Sequence, residues 1–227
     1  MRIQSVYDLH LFFPDIDGFW DIQDLIKTEI KIRSQLPAGD IAATINDVDI
    51  LSQLIRVLCL QKKMKEAKDL LAHVETILKS LSIDEGTKQR MRYFLEEGRF
   101  YSLSMYPSKA IESFLQAWQL SSEVKNLNHF AIDAAFMISI TAPLKQRKKW
   151  FQTAMDMAKN SEENSLASKW RIYLFMHAGW HAFDANDYDN ALTNFEKAEH
   201  QCEDKFILKS LKWGRAKVLR TLKQYTK

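Results

Sequence analysis

The chain reads as a series of stretches in which apolar residues recur every three or four positions, the spacing of one helix face. Leu51, Leu54, Ile55 and Leu58 form one such stripe, and Ala67, Leu71 and Val74 form the next. Phe130 to Ile140 is apolar and helical. Pro143 closes it and starts a further helix, whose stripe is Trp150, Phe151, Ala154 and Ala158. After Lys205, the pattern Leu208, Leu211, Val218 or Leu219, and Leu222 opens another helix. Punctuation agrees. Ser82-Ile83-Asp84-Glu85 predicts a capping box opening the helix through Met91 and Tyr93, and Pro107 breaks the chain just before the helix of Ala110. Pro37-Ala38-Gly39-Asp40 sets off an N-terminal helix at about 18–35, with Asp40 as the next N-cap. Six glycines and four prolines in 227 residues favour long helices over a turn-rich β fold.

Two of these stretches repeat each other. Phe94, Gly98, Ala110, Phe114 and Ala117 return 81 residues later as Phe175, Gly179, Ala191, Phe195 and Ala198. That interval is two units of roughly 40 residues, the size of a two-helix repeat. The residue types make physical sense. Glycine late in one helix and alanines in the next let the two axes approach to about 8–10 Å, and the aromatic ring fills the space left between them.

One copy is Phe94-x3-Gly98-x2-Tyr101 followed by Ala110-x3-Phe114-x2-Ala117. The other is Phe175-x3-Gly179 followed by Asn186-Asp187-Tyr188-x2-Ala191-x3-Phe195-x2-Ala198. These residues resemble the tetratricopeptide repeat, with its W-x2-L-G-x2-Y and A-x3-F pattern. The spacing is wider than the usual 34 or so, and the family's closing proline is absent from both copies. The resemblance implies an all-α fold, an α-solenoid of antiparallel helix pairs. Residues 1–43 form a helical cap or flanking element, and 44–227 the array, in units of about 48–81, 91–124, 128–161 and 172–205 with a half repeat at 207–227. An unfinished last repeat leaves an apolar stripe to be covered by a missing segment, a second copy or a partner protein.

The net charge is only +3, but Lys205 to Lys227 holds eight Lys or Arg and no acid, leaving the first 204 residues at −5. Lysines spread around a helix usually face water, so nucleic acid is not the expected partner. Cys59 and Cys202 are the only cysteines, far apart and without metal spacing, which suits a reducing cytosol. Met1 to Asp8 lacks the apolar core of a secretory signal, and no apolar stretch of about 18 residues occurs, so a soluble cytoplasmic protein is expected. Glycine-rich phosphate loops, nucleophile elbows and His-Glu-x-x-His are absent. His177 and His181, and His129 and Asp133, share helix faces without completing a ligand set. Asp15-Ile16-Asp17-Gly18 lacks the later ligands of a calcium loop. No cofactor, metal or catalytic residue is expected.

In the family the first helix of each pair lines a concave groove. That geometry assigns to the groove Arg56, Arg92, Arg99, His129, Phe136, Tyr173, Met176 and Trp180, with Asp49, Ser52, Ser102 and Phe183 beside them. Arg and Trp are enriched at binding hot spots, and Arg grips carboxylates in a fork. The expected ligand is a protein or peptide with acidic and large apolar residues. Trp180 and Phe183 equally fit core positions against the neighbouring repeat, with the arginines solvated. The function implied is a non-enzymatic scaffold. The alternatives are a peptide-sensing regulator resembling the Rap-type quorum-sensing proteins, or a part of a larger repeat protein in a multi-subunit complex.

Overall fold

The computed structural model describes residues 20–21, 23–36, 44–82, 85–122, 124 and 127–222. Asp15–Gly18, the Pro37–Asp40 segment with its expected cap, and Lys223–Lys227 lie outside them. The described residues form ten helices and no strand. They divide into two compact units, one ending at Met157 and one beginning at Ala158. No helix among the described residues is long and apolar enough to cross a membrane.

The N-terminal unit holds α1 (Leu25–Arg33), α2 (Ile45–Leu60), α3 (Met64–Lys79), α4 (Thr87–Leu103), α5 (Pro107–Ser122), α6 (Asn128–Thr141) and most of α7 (Leu144–Lys159). Asp24 caps α1 by accepting from the Lys27 N–H at 2.9 Å. The described cap of α2 is Thr44, whose N–H and hydroxyl both donate to Asp47, at 2.7 and 2.9 Å. Ser82 and Glu85 do bond, at 3.2 Å from the N–H and 3.1 Å from the hydroxyl, but the box closes a turn and α4 begins only at Thr87. Within the unit α2 packs on α3 and α4, and α4 on α5 and α6. α6 is buried at every position from His129 to Ser139, as a helix apolar on most sides must be, and its Asp133 is buried with the rest.

The C-terminal unit holds α8 (Trp170–Asp184), α9 (Tyr188–Gln201) and α10 (Lys205–Thr221), with α9 packed on both others. Its centre is Phe195, fully buried between two first-helix glycines. A Cβ on Gly179 or on Gly214 would stand 2.9 Å from the Phe195 ring. Gly98 meets Phe114 in the same way in the N-terminal unit. Such contacts are possible only where the side chain is missing. On α10 the buried face is Ile207, Leu211, Gly214 and Val218. Leu211 and Val218 belong to the expected stripe and Ile207 and Gly214 complete the buried face, whereas Leu208, Leu219 and Leu222 are only partly buried. Gly214 outranks them because it alone lets α10 reach the Phe195 ring.

The turns joining α2 to α3, α4 to α5 and α8 to α9 share one geometry. Each helix ends at one residue, the second residue after it is left-handed, and the next helix starts two residues further on. The left-handed residues are Lys62, Met105 and Asn186, at φ 62°, 65° and 59°. In each turn the following N–H (Lys63, Tyr106, Asp187) reaches back five residues to a carbonyl at 2.9 Å. This is the helix-ending bond of the Schellman type.

Candidate functional site

The first helices of the N-terminal unit bring charge together. Glu96 on α4 accepts from Arg56 Nε on α2 at 3.0 Å to each oxygen, and from Arg99 at 3.0 Å. A further Arg56 nitrogen also bonds Glu96 and lies 3.8 Å from Asp133 of α6. Arg99 closes the circuit by donating to Asp133 at 2.5 Å. Each of these four residues is at most 8% exposed. Two guanidiniums and two carboxylates thus cancel inside the unit, joining three helices. Burial alone would lower the Arg99 pKa, but the Asp133 and Glu96 carboxylates beside it raise it above the ordinary arginine value. Nearby, Asp49 holds Lys88 at 2.8 Å and Arg92 at 3.0 Å, and Arg92 lies 5.5 Å over the Phe130 ring. Trp20 lies over Arg56 at 6.0 Å and donates to Gln53 at 2.8 Å.

The expected groove residues of this unit are therefore placed as follows. Arg56, Arg92 and Arg99 are buried and engaged with carboxylates of neighbouring first helices. His129 is buried with its ring 4.1 Å from that of Phe130, and Phe136 is buried too. The structure brings the arginines together, and gives them internal partners.

In the C-terminal unit, Tyr173 is half-buried while Met176 and Trp180 are buried. Trp180 packs edge-on to Phe195 at 5.2 Å and lies 5.3 Å from Trp213 of α10. Phe183, one turn along α8, stands 6.0 Å from Trp180 and 5.8 Å from Tyr188. Into this cluster comes Lys217. Its Nζ lies 4.9 Å from the centroid of Phe183, 5.3 Å from Trp180 and 5.4 Å from Trp213. Ion pairs of this unit include Arg171 with Glu163, and Arg215 with Glu196 and Glu199. None involves Lys217. Trp213 is 47% exposed, so the cluster opens to solvent. Trp213 and Lys217, on the basic end that the sequence predicts to face water, are instead members of an aromatic face. Their signal was the i, i+4 spacing of the two on one helix.

Among the described residues no group of three or more His, Cys, Asp or Glu is placed to hold a metal ion. Both cysteines are buried free thiols. Burial, with the Glu96 carboxylate adding to it, pushes the Cys59 thiol up to about 12, the wrong direction for a nucleophile.

What these features define is an all-helical protein of packed helical hairpins. No family model matches the chain, and no curated protein or solved structure matches it either. The class stands on the structure alone.

Proposed function

We propose that this protein is a non-enzymatic binding module for a protein or peptide. It would be built of tetratricopeptide-like hairpins stacked as an α-solenoid within each unit, and would work in the reducing cytosol where its two buried thiols stay free. The repeated turn at Lys62, Met105 and Asn186 supports the hairpin reading, as does the packing of first helix on first helix: α2 on α4, α4 on α6, α8 on α10. The observation that carries the function is the open aromatic face of α8 and α10, where exposed Trp213 adjoins Trp180, Phe183 and Lys217. Tryptophan is the residue type most enriched at binding hot spots, and a stable monomer has little reason to leave one half exposed on an aromatic cluster. The arginines of the N-terminal unit are spent internally, so the acidic-ligand expectation yields to a ligand recognised mainly through aromatic contact.

The test is selection of binding peptides from a displayed random library on the full chain, followed by measurement on Trp213→Ala. Selected peptides should weaken at least about tenfold, since truncating a hot-spot Trp costs about 2 kcal/mol or more. Peptides that bind both proteins equally, at equal melting temperature, would remove this face from consideration.

A further inference from the structure

Three ring faces surrounding one ammonium make a cation box, and its present occupant belongs to the protein itself. Trp180 and Phe183 come from α8 and Trp213 from α10, all within 4.9–5.4 Å of Lys217 Nζ. Such distances lie inside the reach of cation–π attraction. The inner wall is preorganised. Trp180 is only 4% exposed, is held edge-on by Phe195, and lies so close to α10 that a Cβ on Gly214 would stand 3.1 Å from its ring. The outer wall, Trp213, is open to solvent. No carboxylate among the described residues pairs with Lys217, and three ring faces lie against its charge.

We infer that this box is a binding site for a trimethylammonium group, with Lys217 as a displaceable plug. The inference rests on the docking face proposed above and names its ligand chemistry. A primary ammonium is strongly hydrated and gives up water bonds when it sits among rings. A trimethylammonium has no N–H to satisfy and keeps the full attraction of the ring faces, which is why aromatic cages select it. Lys217 has a flexible four-carbon stem and is half-buried, so it can swing to solvent when a better cation enters. The group could come on a choline-type molecule or on a trimethylated lysine of a partner protein; the recognition chemistry is shared.

The experiment titrates the full chain with tetramethylammonium, choline and a short peptide carrying trimethyl-lysine, against sodium chloride of equal ionic strength. Proton and nitrogen resonances of the Trp180 and Trp213 indoles report entry, and the Lys217 ε-methylene protons, shifted upfield by the rings, report the plug. In the native protein the indole signals should move saturably while the Lys217 protons relax to the position of a solvated lysine. Lys217→Ala should bind about tenfold more tightly, as expected when a competing internal cation worth about one cation–π contact is removed. Trp213→Ala should lose the effect. A peptide preferred over choline identifies a methylated protein as the source, and the reverse a small molecule or lipid headgroup. Lys217 resonances unmoved by all three probes would overturn the inference from the native protein alone, whether or not Lys217→Ala folds. So would a Lys217→Ala protein that melts like the native one and shows no saturable shift. Library peptides still sensitive to Trp213→Ala in that event would leave the docking face standing.

Discussion

Arg56 and Arg99 in the N-terminal unit and Lys217 in the C-terminal unit are cations on packed helices, and they meet opposite surroundings. In the N-terminal unit Arg56 and Arg99 meet Glu96 and Asp133, and the four side chains neutralise one another out of reach of water. In the C-terminal unit Lys217 meets no carboxylate among the described residues, only the faces of three rings, one of them half exposed. The first arrangement commits its charge to holding helices in register. The second leaves charge and aromatic area unclaimed. Residue type alone therefore does not mark a binding face in this chain; the partner across the helix interface does.

The largest test of that contrast is Glu96→Ala. It strips both guanidiniums of their shared acceptor while leaving them buried, and removing one member of a buried ion network typically costs about 3–5 kcal/mol. Lys217→Ala, which takes a cation off an aromatic cluster open to solvent at Trp213, should cost about 1 kcal/mol or less. Urea unfolding of the two variants measures both. A Glu96→Ala protein within about 1 kcal/mol of the native one would mean that the arginines relax to water. They would then be available to a ligand as the sequence expectation had them.

A middle-sized effect belongs to Gly214→Val. The branched side chain would enter space already held by Phe195 and Trp180, and overpacking of this sort costs about 1–3 kcal/mol. The damage should stay in its own unit. Alkylation of Cys202 should quicken while that of Cys59 keeps its native rate, because each buried thiol reports the opening of the unit that holds it. Equal acceleration of both would show that the two units do not open separately, and the comparison between them would lose its footing.

Most helices were legible because their signals are local. Pro107 and Pro143 begin or precede helices where expected, and the glycine–phenylalanine pairing of the two strong copies is the one observed. On α10 the apolar pattern marks Leu211 and Val218 but passes over Gly214, because leucines outweigh a glycine in such a pattern. Gly214 nonetheless follows Gly179 by 35 residues, close to the length of a tetratricopeptide repeat. The common turn was hidden in Lys62 and Met105, residue types that seldom take a left-handed conformation, and only Asn186 announced it. The candidate site was the least legible part. Whether Arg99 faces solvent or Asp133 is decided 34 residues away, and Arg56 finds Glu96 40 residues away. Charges of opposite sign separated by about one repeat are the pattern to look for, since first helices of successive pairs lie side by side.

The smallest effect is the most selective, because it acts on one unit through pH. Burial would raise the pKa of Glu29, but hydrogen bonds from Lys63 at 2.6 Å and from Arg33 at 2.9 Å outweigh it, and the carboxyl is held below its ordinary 4.5. A folded-state value below the unfolded one means that the unfolded chain takes up the proton first. The stabilisation is therefore complete above pH 4.5 and disappears as pH falls through the lower folded value. Glu29→Gln should cost about 1 kcal/mol or less at neutral pH, as for partly exposed ion pairs, and should converge on the native protein in acid. Cys59, in the same unit, supplies the readout when labelled with a disulfide reagent that works at low pH. Acidification should hasten its reaction more in the native protein than in Glu29→Gln, and should affect Cys202 less than either. Parallel pH profiles for the native protein and Glu29→Gln would show that these contacts form no better in the folded chain than in the unfolded one. The N-terminal unit would then owe its acid response to other carboxylates.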